Sequence, residues 1–171
     1  MSLLSRLQAV LDAFSEWTGR LVAWLALALV LVTFAVVVLR YGFDYGSIAL
    51  QESILYLHAT LFMLGAAHTL KRDAHVRVDI FYRDRPARAR AWVDLAGALF
   101  LLLPVCLFLA WVSRDYVAMA WTLREGSHEA GGLPYVYLLK TLIPVSALLL
   151  LLQGVSQALA SLLTLIDGGG E

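Results

Sequence analysis

Three observations predict an all-α integral membrane fold. Hydrophobic residues make up 61% of the 171-residue chain, charged residues only 15%, and the apolar residues gather into four runs long enough to cross a bilayer. A soluble domain carries about 25% charge, and a helix needs about 20 apolar residues to cross the hydrocarbon core while satisfying its own backbone. The 13 basic and 13 acidic side chains cancel, so no global field attracts nucleic acid, and a nucleic-acid partner is excluded on that ground. The single cysteine, Cys106, rules out an intramolecular disulfide and a Cys-rich metal or iron-sulfur pattern. No cofactor is expected.

The chain reads as one membrane domain over residues 1–171, opening with an amphipathic stretch at 1–20. There Leu3, Leu7, Val10, Leu11, Phe14 and Trp17 recur at helical spacing while Arg6, Asp12, Glu16 and Arg20 take other positions, the pattern of a helix lying flat in the membrane interface. The first span, Leu21 to Leu39, is uncharged and bracketed by Arg20 and Arg40. No small-x-small cleavage site follows it, so it reads as a retained anchor rather than a signal peptide. The second span runs from Ser53 to Leu70 and the third over about 92–113, with Trp92 and Trp111 at its two interfacial belts. Pro86 suits the first turn of the third helix, and Pro104 removes a backbone hydrogen bond midway along it, predicting a kink. Pro134 begins an approach through Tyr135, Tyr137 and Lys140 to the fourth span, Thr141 to Ile166, uncharged over 26 residues. Gly168 to Gly170 reads as a floppy tail.

Orientation follows from Lys and Arg. Lys71, Arg72, Arg77, Arg83, Arg85, Arg88 and Arg90, with Arg6 and Arg20, put nine on one side, against Arg40, Arg114, Arg124 and Lys140 on the other. By the positive-inside rule both termini and the central loop face the cytoplasm, where the basic loop can hold anionic lipid.

Polar residues at membrane depth are the places to look for function, because they are costly unless they face protein or water. On the second helix Gln51, His58, Gly65 and Arg72 recur every seven residues and form one stripe, expected to touch protein as a packing seam, with a substrate or proton path as the alternative. Arg40 and Glu52 end and begin adjacent spans on the same side, so they are expected to pair; His68 and Asp94 share a depth on the other side and form a second expected pair. Both pairs concern assembly rather than catalysis. His58 and His68 lie about 15 Å apart along a helix at 1.5 Å per residue, and spans one, three and four hold no histidine, so metal and haem lack a ligand set at matching depth. Gln153 and Gln157 lie one turn apart and suit interhelical hydrogen bonds. No nucleophile elbow, Walker loop, dinucleotide glycine motif or carboxylate cluster occurs, so no enzyme is expected. The halves show no internal repeat and spans one and four no charge for an ion or carboxylate, which leaves the chain poorly equipped for transport on its own. An accessory subunit fits best; an independent small-solute or ion carrier and a haem-bearing redox subunit are the competing readings.

Specific runs carry a family resemblance. Leu64-Gly65-Ala66-Ala67-His68-Thr69-Leu70-Lys71-Arg72-Asp73-Ala74-His75-Val76-Arg77-Val78-Asp79-Ile80, the upstream Arg40-Tyr41 and Ser47-Ile48-Ala49-Leu50-Gln51-Glu52, and the later Glu125-Gly126-Ser127, Gly131-Gly132-Leu133-Pro134, Lys140-Thr141-Leu142-Ile143-Pro144 and Leu151-Leu152-Gln153-Gly154 resemble the DctQ-type small membrane subunits of tripartite ATP-independent periplasmic (TRAP) transporters. The likeness covers about residues 20 to 160. It implies a bacterial inner-membrane subunit without substrate chemistry of its own. Its implied partners are a large membrane subunit, which carries organic acids by an elevator motion driven by a sodium gradient, and a periplasmic substrate-binding protein. The small subunit is then expected to steady the fixed scaffold. In the outer loop Arg114, Asp115, Arg124, Glu125 and Glu129 are candidate contacts for the binding protein.

Overall fold

In a computed structural model, which describes residues 3–76, 82 and 84–167, five helices account for nearly all of the described chain. They are α1 (Leu3–Gly42), α2 (Ile48–Lys71), α3 (Ala87–Gly97), α4 (Leu103–Thr122) and α5 (Val136–Asp167). A π turn at Ala98–Leu102 joins α3 to α4, so four helical rods are long and apolar enough to cross a membrane. Each predicted span lies inside one of them.

Nothing in residues 3–41 breaks a helix until Gly42, and α1 runs for 40 residues without interruption, about 60 Å at 1.5 Å per residue. The boundary expected near residue 20, between an interfacial helix and the first span, is therefore not marked by any break in the helix. Five residues then turn the chain. Phe43 and Tyr45 both return amide hydrogen bonds to the Leu39 carbonyl, Asp44 takes the left-handed conformation at φ 51°, and Ser47 caps α2 by accepting from the Leu50 amide at 3.4 Å. So short a link makes α1 and α2 an antiparallel pair. At the far end of α2, Asp73 (φ 55°) and an Ala74 amide bonded to the Thr69 carbonyl stop the helix. Expectations that fall on Arg77, Val78, Asp79, Ile80, Arg83 and the Gly168–Gly170 tail lie outside the described residues.

Pro86 caps α3, where its missing N–H costs nothing. The distortion expected at Pro104 takes a specific form. Proline cannot donate to the carbonyl four residues back and its ring crowds that carbonyl; the chain widens by one residue just upstream, and the Leu103 amide reaches the Ala98 carbonyl. The residues expected to approach the fourth span are the first turns of α5 itself.

The contacts between helices put α5 at the centre, against α1, α2, α3 and α4. Its buried residues are small or polar: Ser146, Ala147, Gln153, Ser156 and Ser161. Small side chains let helices approach closely in lipid, where no hydrophobic drive holds them together. The large apolar residues point outward instead, among them Trp24 (71% exposed), Phe34 (66%), Phe100 (77%) and Trp111 (68%). Several threonine hydroxyls bond back to their own helix, as Thr33 does to Leu29 at 2.7 Å and Thr60 to Tyr56 at 2.7 Å, so they cost little in an apolar solvent.

Candidate functional site

The polar chemistry of the bundle collects in two collars, one at each end. At the end rich in basic residues, Glu16 on α1 is the hub. Its carboxylate accepts from Lys71 Nζ at 2.8 Å, Arg72 at 2.6 Å and Arg20 Nε at 3.2 Å. The Glu16 and Lys71 side chains are sheltered, whereas Arg20 is 76% exposed, so Lys71 carries more of the tie than Arg20 does. Glu16 precedes the uncharged run 21–39, and its carboxyl is held at about 2, below the ordinary 4.5, chiefly by the Lys71 and Arg72 hydrogen bonds. One turn on, Gly19 lies so close to α2 that a Cβ there would overlap the His68 ring. His68 Nδ1 sits 3.9 Å from Glu16 and has no hydrogen-bond partner.

One turn before Glu16, Asp12 ties α1 to α5. It accepts from the Ser156 hydroxyl at 2.6 Å and from Gln153 Nε2 at 3.2 Å. Asp12, Lys71, Asp73, Asp94, Gln153 and Ser156 line a polar recess of about 270 Å³. Asp94, on α3, accepts from the Tyr82 hydroxyl at 2.6 Å.

At the opposite end Glu52 clasps the long connection between α4 and α5. It accepts from the Ser127 hydroxyl and, at 2.6 Å, from the Leu133 amide, while the Ser127 amide donates to the Leu133 carbonyl at 3.0 Å. Gly132 is needed here by close approach: a Cβ would overlap the Ser127 side chain and stand 2.8 Å from Glu52 Oε1. Lys140 reaches both Glu125 oxygens, at 2.7 and 2.6 Å, and lies 4.0 Å from the centre of the Tyr116 ring. Trp121 donates to Thr141 at 2.8 Å, closing α4 against α5.

Several of the residues singled out in the sequence do make ties, with partners other than those expected. No ion pair joins Arg40 to Glu52: Glu52 turns to the loop, and Arg40 lines an open recess with Tyr41, Asp44 and Gln51. His68 faces Glu16 and Gly19, and Asp94 takes the Tyr82 hydroxyl, so that expected pair does not form either. Matching depth does not guarantee contact when two residues point to different sides of their helices. The stripe of Gln51, His58, Gly65 and Arg72 is not a seam within the chain. Gln51 and His58 are exposed and a Cβ on Gly65 would meet nothing, while Arg72 alone among them bonds to another helix. Of the candidates expected in the outer loop, Arg114 and Asp115 lie instead on α4, which continues to Thr122, and pair with each other at 3.1 Å; Arg124 stacks over Trp121 and Tyr137, Glu125 binds Lys140, and Glu129 is exposed with its amide donating to Ser127.

Asp12 and Glu16 were missed as site residues because they read as the wet face of an amphipathic helix. Their spacing of four, together with Lys71 and Arg72 at the end of α2, was the available signal. Among the described residues no group of three or more His, Cys, Asp or Glu side chains is placed to hold a metal ion.

These features define a polytopic, all-helical membrane protein whose helices are tied at their ends and present apolar surface between. Comparison with known proteins narrows the class. Residues 29–164 match the family model described as "Tripartite ATP-independent periplasmic transporters, DctQ component", and the chain belongs to that family. It is similar to the C4-dicarboxylate TRAP transporter small permease protein DctQ of Vibrio cholerae serotype O1 (strain ATCC 39315 / El Tor Inaba N16961), with 33% identity over 89 residues. That alignment covers 52% of this chain and 37% of the relative, so the chain matches well under half of the relative's length. No solved structure matches the chain.

Proposed function

We propose that this small TRAP permease subunit is a brace: it sits in the bacterial inner membrane with both termini in the cytoplasm and steadies the fixed part of a large membrane subunit. That partner imports organic acids on a cation gradient, supplied by a periplasmic substrate-binding protein. The observation that supports the reading best is the placement of the ties. Glu16 with Lys71 and Arg72, and Asp12 with Ser156 and Gln153, lock one end; Glu52 with Ser127 and Leu133, and Glu125 with Lys140, lock the other. Bundle ends held in this way resist splaying while a neighbour moves. The family's solute class and the C4-dicarboxylate named for the Vibrio relative both favour carboxylate-bearing cargo, and the chain's own residues do not choose among such solutes.

Vesicles test the reading directly. With this chain as the only protein they should stay inert, and uptake of a dicarboxylate should need the large subunit, the binding protein and a sodium gradient together. Accumulation by the chain alone would overturn it. For docking of the binding protein, Arg114 and Asp115 on α4 and Glu129 in the loop are the candidates to reverse first, because Arg124 and Glu125 also hold the loop's own fold. Unchanged uptake and unchanged binding-protein affinity after those reversals would remove the loop from the docking surface.

A further inference from the structure

The surface of α2 that faces away from its own bundle follows a repeat. The exposed residues of α2 are Ile48, Gln51, Leu55, His58 and Phe62, spaced by three, four, three and four positions, and the same alternation continues through the half-buried Gly65 and Thr69 to Arg72, which turns to Glu16 on α1. Alternating fours and threes average 3.5 residues, the period of a left-handed helix-helix seam. Among the described residues nothing fills that seam from Gln51 to Gly65. Leu55 and Phe62 are 55% and 71% exposed, and a Cβ on Gly65 would find open space.

A face meant only for lipid has no use for the residue at its centre. His58 lies near the middle of the 24-residue helix; its ring stacks on Phe62 at 6.3 Å between centroids, and among the described residues no hydrogen bond reaches it. An ionisable ring at membrane depth is costly against acyl chains and is tolerated where it meets protein or water. A glycine two turns along on the same line lets a second helix come close.

Resting on the reading of the chain as a TRAP small subunit, we propose that this seam of α2 is the contact line for one transmembrane helix of the large subunit. The partner helix crosses α2 at a shallow left-handed angle of about 20°, sets a hydrogen-bonding side chain opposite His58 and lays a bulky apolar side chain over Gly65. Charge selects a different polypeptide over a second copy. Two copies inserted in the same orientation and related by a two-fold axis along this line would bring together two clusters in which Arg20, Lys71 and Arg72 share the single carboxylate of Glu16, each cluster keeping an excess of positive charge. A distinct partner carries no such conflict.

The experiment uses the full chain co-expressed with its large subunit. A photo-cross-linking residue placed at Leu55 or Phe62 should join the chain to the large subunit, whereas the same residue at Phe108, which is 63% exposed on α4, should not. A Cβ on Gly65 meets open space, so Gly65→Leu should not lower the thermal unfolding midpoint of the isolated chain while lowering recovery of the large subunit roughly tenfold, with His58→Phe lowering it roughly threefold. Cross-links from Phe62 to a second copy, cross-links to the large subunit from Phe108 alone, or undiminished recovery with Gly65→Leu would each overturn the seam. Failure of the wild-type chain to retain any large subunit would instead sink the subunit reading, and the seam with it.

Discussion

Gly19 and Glu16, one turn apart on α1, show how single residues set the helix contacts. A methyl group at Gly19 would overlap the His68 ring and crowd its Cβ, which cannot swing aside as the tip of a side chain could. Overpacking of this kind costs about 1–3 kcal/mol, more than the roughly 1 kcal/mol alanine recovers in helix propensity. Gly19→Ala should therefore lower the midpoint of thermal unfolding in detergent, and His68→Ala should relieve it in the double variant. Glu16 makes a pH-dependent tie. Its folded pKa, about 2, lies below the ordinary 4.5, so the stability it contributes is complete above about 4.5 and is lost as pH falls through the interval toward about 2. The stability difference between wild type and Glu16→Gln should stay level from neutral pH to about 5 and close below that. A gap that closed between pH 6 and 8 would mean that Glu16 does not set the pH dependence.

At the scale of the element, two helical glycines separate the effects of space and propensity. Gly154 on α5 faces the π turn, where a Cβ would come 2.7 Å from Leu102 Cδ2 and 3.2 Å from Leu103 Cδ2. Gly65 on α2 faces nothing in its own chain. In the isolated chain Gly154→Val should destabilise by roughly 1–3 kcal/mol, and Gly65→Ala should be neutral or stabilise by up to about 1 kcal/mol, both read from unfolding midpoints. The two proline positions on the third rod were legible in the sequence because proline's missing donor acts locally. That the distortion at Pro104 would become a π turn was not legible, since a helix can accommodate a missing donor by bending as well as by widening; in the fold Leu102 and Leu103 lie against Gly154 of α5. The continuity of α1 was equally hidden: the change from amphipathic to uniformly apolar sequence at residue 20 reports a change of surroundings, and a helix can pass through such a change unbroken.

For the whole molecule, the excess of Lys and Arg at one end makes a topology prediction that reporter fusions check. Alkaline phosphatase should be inactive when fused after Glu171 and active when inserted between Glu129 and Gly131, and the reverse result would invert the molecule in its membrane. The existence, number and approximate limits of the membrane-crossing rods were settled by sequence, because length and polarity along a chain are one-dimensional quantities that the bilayer reads directly. The position of each charge along its rod followed for the same reason, which is why Glu52, His68, Arg72 and Asp94 stood out before any partner was known. Only the tertiary structure decided which charges meet. Partnering depends on the direction in which each side chain leaves its helix and on which helix is central, and these are fixed by the small and polar residues of α5 and by contacts as distant in sequence as Asp12 with Ser156 and Glu52 with Leu133.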